Sequence, residues 1–453
     1  MAKENSPLTL GTDPIGRLLT QYAIPAIIAM TASSLYNMAD SIFIGQGVGA
    51  LAISGLALTF PLLNLAAAFG SLVGVGASTL VAMKLGQKDY VGANHVLGNV
   101  LLLNVILGVM FMAVFLCFLD PVLLFFGGSE QTIPYAKDYM RIILYGNVIT
   151  HMYLGLNAVL RSSGFPRMAM YTTLLSVVVN CMLNPLFIFA WGWGIKGAAW
   201  ATVISQSISL AFQAVHFAKP ESLLHFQKGI YRLKEEVVKG ILSIGLSPFL
   251  MNLCSCLIVI LINRGLKEHG GDMAIGAYGI VNRIAFLFVM IILGFNQGMQ
   301  PIAGYNYGAR LLPRVLEVTR LTTYCAVCVA TLGFVLCEGI PEWIVRMFTT
   351  DPELIEKSVY GLRIVFAVFP FVGFQMVATN FFLSIGMSKK AIFLSLTRQM
   401  LFLIPSLLIL PSFLGTLGVW LSMPIADFVA SVVTAFMLRY QFRLMRNAEI
   451  GKF

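Results

Sequence analysis

Charge is what this sequence has least of. Asp, Glu, Lys and Arg supply 11% of its 453 residues and apolar side chains 58%, whereas soluble domains carry roughly a quarter charged residues. The deficit excludes an ordinary soluble domain and places the chain in a membrane. Histidine is also sparse: the five (His95, His151, His216, His225, His269) are scattered, and only His151 falls inside a span, where a satisfied structural role is expected. The seven cysteines fall almost entirely within apolar runs. Cys325-x-x-Cys328 has no second pair or nearby His to complete a metal site, so these thiols read as small packing residues. No Ser/His/Asp set is legible, and GSLVGVGAS (70–78) lacks dinucleotide-binding spacing. The chain is therefore expected to be no enzyme and to need no cofactor or metal. The net charge of +10 is spread over short loops, which argues for topology and anionic lipid contact over nucleic acid.

What is present is long apolar runs. A spanning helix needs roughly 20 apolar residues, and twelve runs qualify: 18–44, 52–82, 94–119, 136–160, 168–191, 197–218, 237–263, 274–303, 316–337, 359–385, 391–411 and 417–438. The polar start, MAKENSPLTLGTDPIGR, carries no small-residue cleavage site, so it reads as no signal peptide. Lys and Arg concentrate in alternate loops. By the positive-inside rule both termini lie in the cytoplasm of a multi-pass protein of the plasma (inner) membrane.

The two halves echo each other. YMRIILYG at 139 recurs as GLRIVFAV at 361, LRSSGFPRMA at 160 as FLSIGMSKKA at 382, and Gly86 falls on Gly308, all at one constant offset; Pro25 finds Pro248 within one residue. A duplication of six spans leaves both halves with one orientation, related by an axis along the membrane normal. The expected organisation is an N-lobe at 1–220, a cytoplasmic linker at 221–240 and a C-lobe at 241–453. The basic join, 216–240, reads either as a solvated linker or as part of an interfacial amphipathic helix. Duplicated bundles suit a central cleft that opens to alternate sides, which argues for transport.

Several stretches together resemble the multidrug and toxic compound extrusion (MATE) family: YNMADSIFIGQGVGALAISGLALTFP, GASTLVAMKLGQKDYVGANHVLGN, LNAVLRSSGFPRMAMYTTLLSVVVNCMLNPLFIF, GIKGAAWATVISQ, NQGMQPIAGYNYGA and LGVWLSMPIADFVA. The resemblance implies an all-α membrane protein, twelve transmembrane helices in two pseudo-symmetric six-helix lobes around a central cleft. It also implies secondary active antiport, exporting lipophilic and usually cationic drugs against H+ or Na+. A monomer in contact with membrane lipid is expected, with no nucleic-acid partner.

Members of that family use a polar cluster in the N-terminal lobe, and each position can be checked here. Between Arg17 and Lys84, Asp40 is the only Asp, Glu, Lys or Arg. Counting about 1.5 Å per residue from the span ends puts Asp40 about 8 Å, Asn184 about 10 Å and Thr202 about 9 Å below one membrane face. Asn180 lies one turn deeper than Asn184 on the same helix face. Pro185 cannot donate to the carbonyl of Cys181, leaving an acceptor of the kind that lines ion sites in broken helices; Pro25 is the matching kink in the first span. Asp40, Asn180, Asn184 and Thr202 are thus the expected cation-coupling set. Desolvation favours the neutral form of a lone carboxylate, which suits proton loading, while the amide and hydroxyl oxygens beside it could instead complete a Na+ shell. The family often carries Asp where this chain has Asn184, so a mechanism needing two carboxylates is in doubt here. The plainer alternatives are helix-end hydrogen bonding for Asp40, interhelical bonding for the two Asn and back-bonding to its own helix for Thr202.

In the second half, Asp427, Arg398 and Arg283 sit near mid-membrane, where charges pair. An ion pair of Asp427 with Arg398 or Arg283 is the first reading; the second is that Asp427 titrates or touches substrate, with Arg398 and Asp427 among the candidate cleft residues. Tyr36, Asn37, Tyr139 and Met152 in the first lobe and Gln297, Gln300 and Tyr305 in the second are candidate cleft residues. A flippase or exporter of lipid-linked oligosaccharide is the alternative function. It would need several Arg or Lys for pyrophosphate, and only Arg283 and Arg398 are candidates.

Overall fold

The structure, a computed structural model, describes residues 7–450. Among the described residues the regular structure is helical, without a strand. Ten helices are long and apolar enough to span a membrane alone: Ile15–Gly47, Leu51–Gly86, Tyr90–Cys117, Pro166–Ala190, Gly194–Phe217, Glu235–Gly271, Met273–Gly308, Leu312–Gly339, Ser388–Leu414 and Thr416–Ala448. Two bent pairs, Ile133–Tyr145 with Asn147–Ser162 (55°) and Pro352–Phe366 with Phe369–Ser384 (50°), supply the fourth and tenth spans. The expected twelve spans are therefore present, numbered hereafter in chain order.

Each bend has a local cause. At Gly146, in the fourth span, a Cβ would come within 2.5 Å of Val203, so only glycine admits the sixth span there. In the tenth span Pro370 stands in the first turn after the break, where its missing N–H ends the preceding hydrogen-bond run.

By internal contacts the chain divides into two compact units. One comprises Ile28–Phe249; the other comprises Gly11–Ile27 with the chain from Leu250 onward. These divisions lie inside the first and seventh spans, not at residues 220 and 240 as the loop-based reading expects. The two breaks, after Ile27 and after Phe249, are separated by the offset of the internal repeat. Each unit thus takes in part of a helix from the other half of the sequence.

Glycine packing shows the same duplication. In the first unit a Cβ at Gly76 would stand 2.0 Å from the carbonyl of Ile241, and one at Gly245 would stand 1.7 Å from that of Leu72. The second span and the start of the seventh touch backbone to backbone, as small residues allow. In the second unit a Cβ at Gly298, the repeat equivalent of Gly76, would meet the backbone of Ala23 at 2.7 Å.

The join forms no amphipathic helix over 218–234, and although largely exposed it is tethered. Residues 218–234 carry no helix and run as a strap over the third span. Asn94 donates to the carbonyl of Leu223 (2.9 Å) and accepts from the amide of His225 (3.0 Å). Asn99 repeats the pattern with Arg232 (3.1 Å) and Lys234 (3.1 Å). Between the two clamps Ile230 is buried, and its carbonyl lies where a Cβ on Gly98 would fall.

Candidate cation-coupling site

Three spans of the first unit bring their polar side chains together. The first contributes Tyr36 and, one turn on, Asp40; the fifth contributes Asn180 and Asn184 at the same i, i+4 spacing; the sixth contributes Thr202. Asp40 retains 6% of its surface, Asn180 1% and Asn184 none, so their polar atoms must find one another.

They do so as a continuous chain. Asn184 Nδ2 donates to Asp40 Oδ1 (2.9 Å) and to Asn180 Oδ1 (2.6 Å). Asn180 Nδ2 turns toward the Tyr36 hydroxyl (3.4 Å) and Thr202 Oγ1 (3.3 Å). The Tyr36 and Thr202 hydroxyls are 2.9 Å apart, and Thr202 donates to its own helix at the carbonyl of Ala198 (3.1 Å). The back-bonding expected as the plainer role of Thr202 is therefore present alongside its place in the network. Buried Tyr139, from the fourth span, lies beside Thr202 and Asp40.

One atom is left over. Among the described residues Asn184 Oδ1 is fully enclosed and has no hydrogen-bond partner. A buried acceptor without a donor costs about 1–3 kcal/mol, and it stands one amide rotation from the Asp40 carboxylate.

Local sequence explains why the fifth span presents these groups. Pro185 closes its α-helical part, and Leu186–Ala190 continue as a π-helical turn in which the Trp191 amide bonds the carbonyl of Leu186 (2.9 Å). Such turns concentrate at functional sites. Pro25, in the first span, is buried.

The other expected residues fall as follows. Asn37 is exposed and Met152 half-buried. Gln297, Gln300 and Tyr305 lie along the eighth span in the second unit, with Gln300 and Tyr305 buried; Tyr305 packs against Gly11. Arg398, in a π-helical turn of the eleventh span, donates Nε to Asp427 Oδ1 of the twelfth at 2.5 Å. Arg283 is exposed on the eighth span. His151 is held by the carbonyl of Ala66 (3.0 Å), a structural role.

Sequence reasoning missed the rest of the sixth span's polar stripe. Gln206 accepts from Thr150 (2.5 Å) and Gln213 donates to Thr172 (3.2 Å). The signal was legible: Thr202, Gln206, Ser209 and Gln213 recur at helical spacing.

Comparison with known proteins agrees with this architecture. The Multidrug export protein MepA of Staphylococcus haemolyticus (strain JCSC1435) is 27% identical over 94% of this chain and 93% of its own. A solved outward-facing multidrug resistance MATE family transporter of the MOP superfamily superposes with a TM-score of 0.91 at 25% identity, covering 98% of this chain and 100% of that one. A MOP superfamily transporter from Pyrococcus furiosus, described as having a binding pocket of reversed polarity and a suggested different function, superposes at 0.92 with 25% identity, over 98% and 99% of the two chains. The MatE family pattern matches residues 25–186 and 244–409, most of both halves, and the chain belongs to that family of membrane transporters.

Proposed function

We propose that this transporter exports lipophilic, cationic compounds by secondary active antiport, and that a proton carried on Asp40 drives the cycle. Relatives described as multidrug export and multidrug resistance proteins support export of drugs. The buried network around Asp40 carries the coupling reading.

The state of the oxygens favours a proton over Na+. A Na+ shell needs several oxygens turned inward together, yet Asn180 Oδ1 already accepts from Asn184 and Thr202 Oγ1 is engaged by its neighbours. A proton needs one acceptor. Ionised, Asp40 takes the N–H of Asn184; protonated, it can donate to the unpartnered Asn184 Oδ1 once that amide turns over. A single amide would serve both states, which would let Asn184 stand where the family pattern often carries a second Asp. Loading Asp40 from outside, alternating access, and release to a cytoplasm that holds both termini complete the cycle.

The test is efflux of a fluorescent cation in membrane vesicles with H+ and Na+ gradients imposed separately. The H+ gradient alone should drive it, and Asp40→Asn should abolish driven efflux while the protein still folds. Undiminished efflux in that variant would sink the role of Asp40; drive by Na+ alone would reassign the ion. The flippase alternative draws little support, because Arg398, one of its two candidate cations, is committed to Asp427.

A further inference from the structure

The tenth span carries Arg363 near the start of its apolar run, 359–385, about four residues and so roughly 6 Å in. A guanidinium at the edge of an apolar run is suited to an anionic partner or headgroup. Among the described residues the exposed Arg363 side chain has neither ion pair nor hydrogen bond, since Glu342 pairs with Arg346 and Glu353 with Lys357. Glu356, exposed and likewise without a side-chain partner, sits two turns earlier on the same helix face. About 10 Å of rise keeps the two from reaching each other.

Two recesses of the second unit meet at Arg363. One, of about 800 Å³, has a mixed wall in which Arg346, Thr349, Thr350, Glu356 and Arg363 stand among apolar residues such as Trp343 and Ile355. The other, of about 540 Å³, is apolar: Ala367, Val368, Leu421, Pro424 and Phe428 line it, and Arg363 stands at its end. The groove lies where the tenth span bends by 50° and where Pro424 stands within the twelfth. A recess of mixed lining thus adjoins an apolar trough at Arg363, with an unpaired cation at the junction and the unpaired Glu356 on the side away from the trough.

We propose that this surface binds one membrane phospholipid with a primary ammonium headgroup: phosphate on Arg363, ammonium on Glu356, and an acyl chain along the bend between the tenth and twelfth spans. Charge decides the headgroup. Arg346 and Glu342 cancel, and the two unpartnered groups are one positive and one negative, which matches a zwitterion. The order matches too, because a lipid ammonium lies farther from the hydrocarbon than its phosphate. A quaternary ammonium would lack the N–H donors that a carboxylate binds best. The site is independent of the transport reading.

The test is lipid retention by the full-length protein, purified from vesicles containing equal parts phosphatidylethanolamine, phosphatidylcholine and phosphatidylglycerol, and weighed by native mass spectrometry. One phosphatidylethanolamine should be retained in preference. Arg363→Gln should weaken retention by about fivefold or more, the effect of one basic contact at a membrane surface. Glu356→Gln should erase the preference over phosphatidylcholine. Ala367→Trp, which fills the trough and keeps both charges, should also lose the lipid. Arg141→Gln removes the charge at the equivalent place of the repeat in the other half, and should leave retention intact. Free phosphoethanolamine, a headgroup without chains, should not displace the lipid. Equal retention of the three lipids by the parent protein, full retention by Arg363→Gln, preference for phosphatidylglycerol, or displacement by phosphoethanolamine would each overturn the proposal.

Discussion

Replacing Asp427 by Asn should leave Arg398 as an uncompensated cation among the spans of the second unit. Asp427 retains 6% of its surface, and its carboxylate takes the Nε–H of Arg398 at 2.5 Å. Breaking a buried ion pair by removing one partner costs about 3–5 kcal/mol. The Arg398 side chain keeps 31% of its surface accessible, so part of its charge can be re-solvated by snorkelling, and a loss of about 2–3 kcal/mol is expected. Removing both charges together, Arg398→Met with Asp427→Leu, should restore most of that, because a well-packed apolar pair often equals a buried ion pair. The cycle of Arg398→Met, Asp427→Leu and the double variant should then give a coupling of about 2 kcal/mol. Unfolding in mixed micelles, followed by tryptophan fluorescence with buried Trp420 on the same helix as reporter, measures it. Efflux by the double variant, assayed in parallel, separates scaffold from transport. A single Asp427→Asn variant as stable as its parent would refute the energetic argument. A stable double variant that no longer exports would show that the pair meets the substrate.

Asn99→Ala removes both hydrogen bonds that hold the strap at Arg232 and Lys234, a loss of about 1–3 kcal/mol. Limited proteolysis should then cut within residues 218–234 faster than in the parent, and unchanged cleavage would show that the strap is held elsewhere. In the loop before the third span, Asp89 accepts from Lys84 Nζ (2.8 Å) and from the Gly92 amide (2.8 Å). These bonds hold its carboxyl below the ordinary value of 3.8, the Lys84 contact most. A depressed value in the folded state contributes stability that is present above the unfolded value and lost as pH falls through the folded one. The stability gap between parent and Asp89→Asn, small because the side chain is 39% exposed, should be open at pH 7 and narrow below about pH 4; an identical gap at both would count against it.

The spans and the duplication were legible because each is a one-dimensional signal. Hydropathy marks a run, and the constant offset survives in short matches such as the two Arg-Ile pairs at 141 and 363. Asp40 was legible by scarcity, and Asn180 with Asn184 by spacing. Tyr36 stands in that same i, i+4 relation to Asp40 and reads from sequence as a cleft residue, although its hydroxyl closes the network at Thr202. Lateral information was missing elsewhere. Three charges at similar depth do not say whether Asp427 faces Arg283 or Arg398, and a polar join does not say that Asn94 and Asn99 satisfy its backbone. Nor can continuous hydropathy reveal that the first span divides between two packing units after Ile27.

The two units have put equivalent helices to different electrostatic use. In each, the polar groups gather where a helix shared between the units meets the last two helices of its half: the first, fifth and sixth spans for Asp40, and the seventh, eleventh and twelfth for Arg398 and Asp427. Ser255 and Gln399 bring the seventh span into that second cluster, at the limit of hydrogen-bonding distance (3.5 Å). There the carboxylate is answered by a guanidinium fixed in the chain, so the cluster is neutral without a visitor. In the first unit, among the described residues, Asp40 is met by a neutral amide and has no ion pair. A buried carboxylate with no resident cation is open to neutralisation by a mobile one. The proposed coupling would therefore act at Asp40, whereas at Asp427 an incoming cation would first have to displace Arg398.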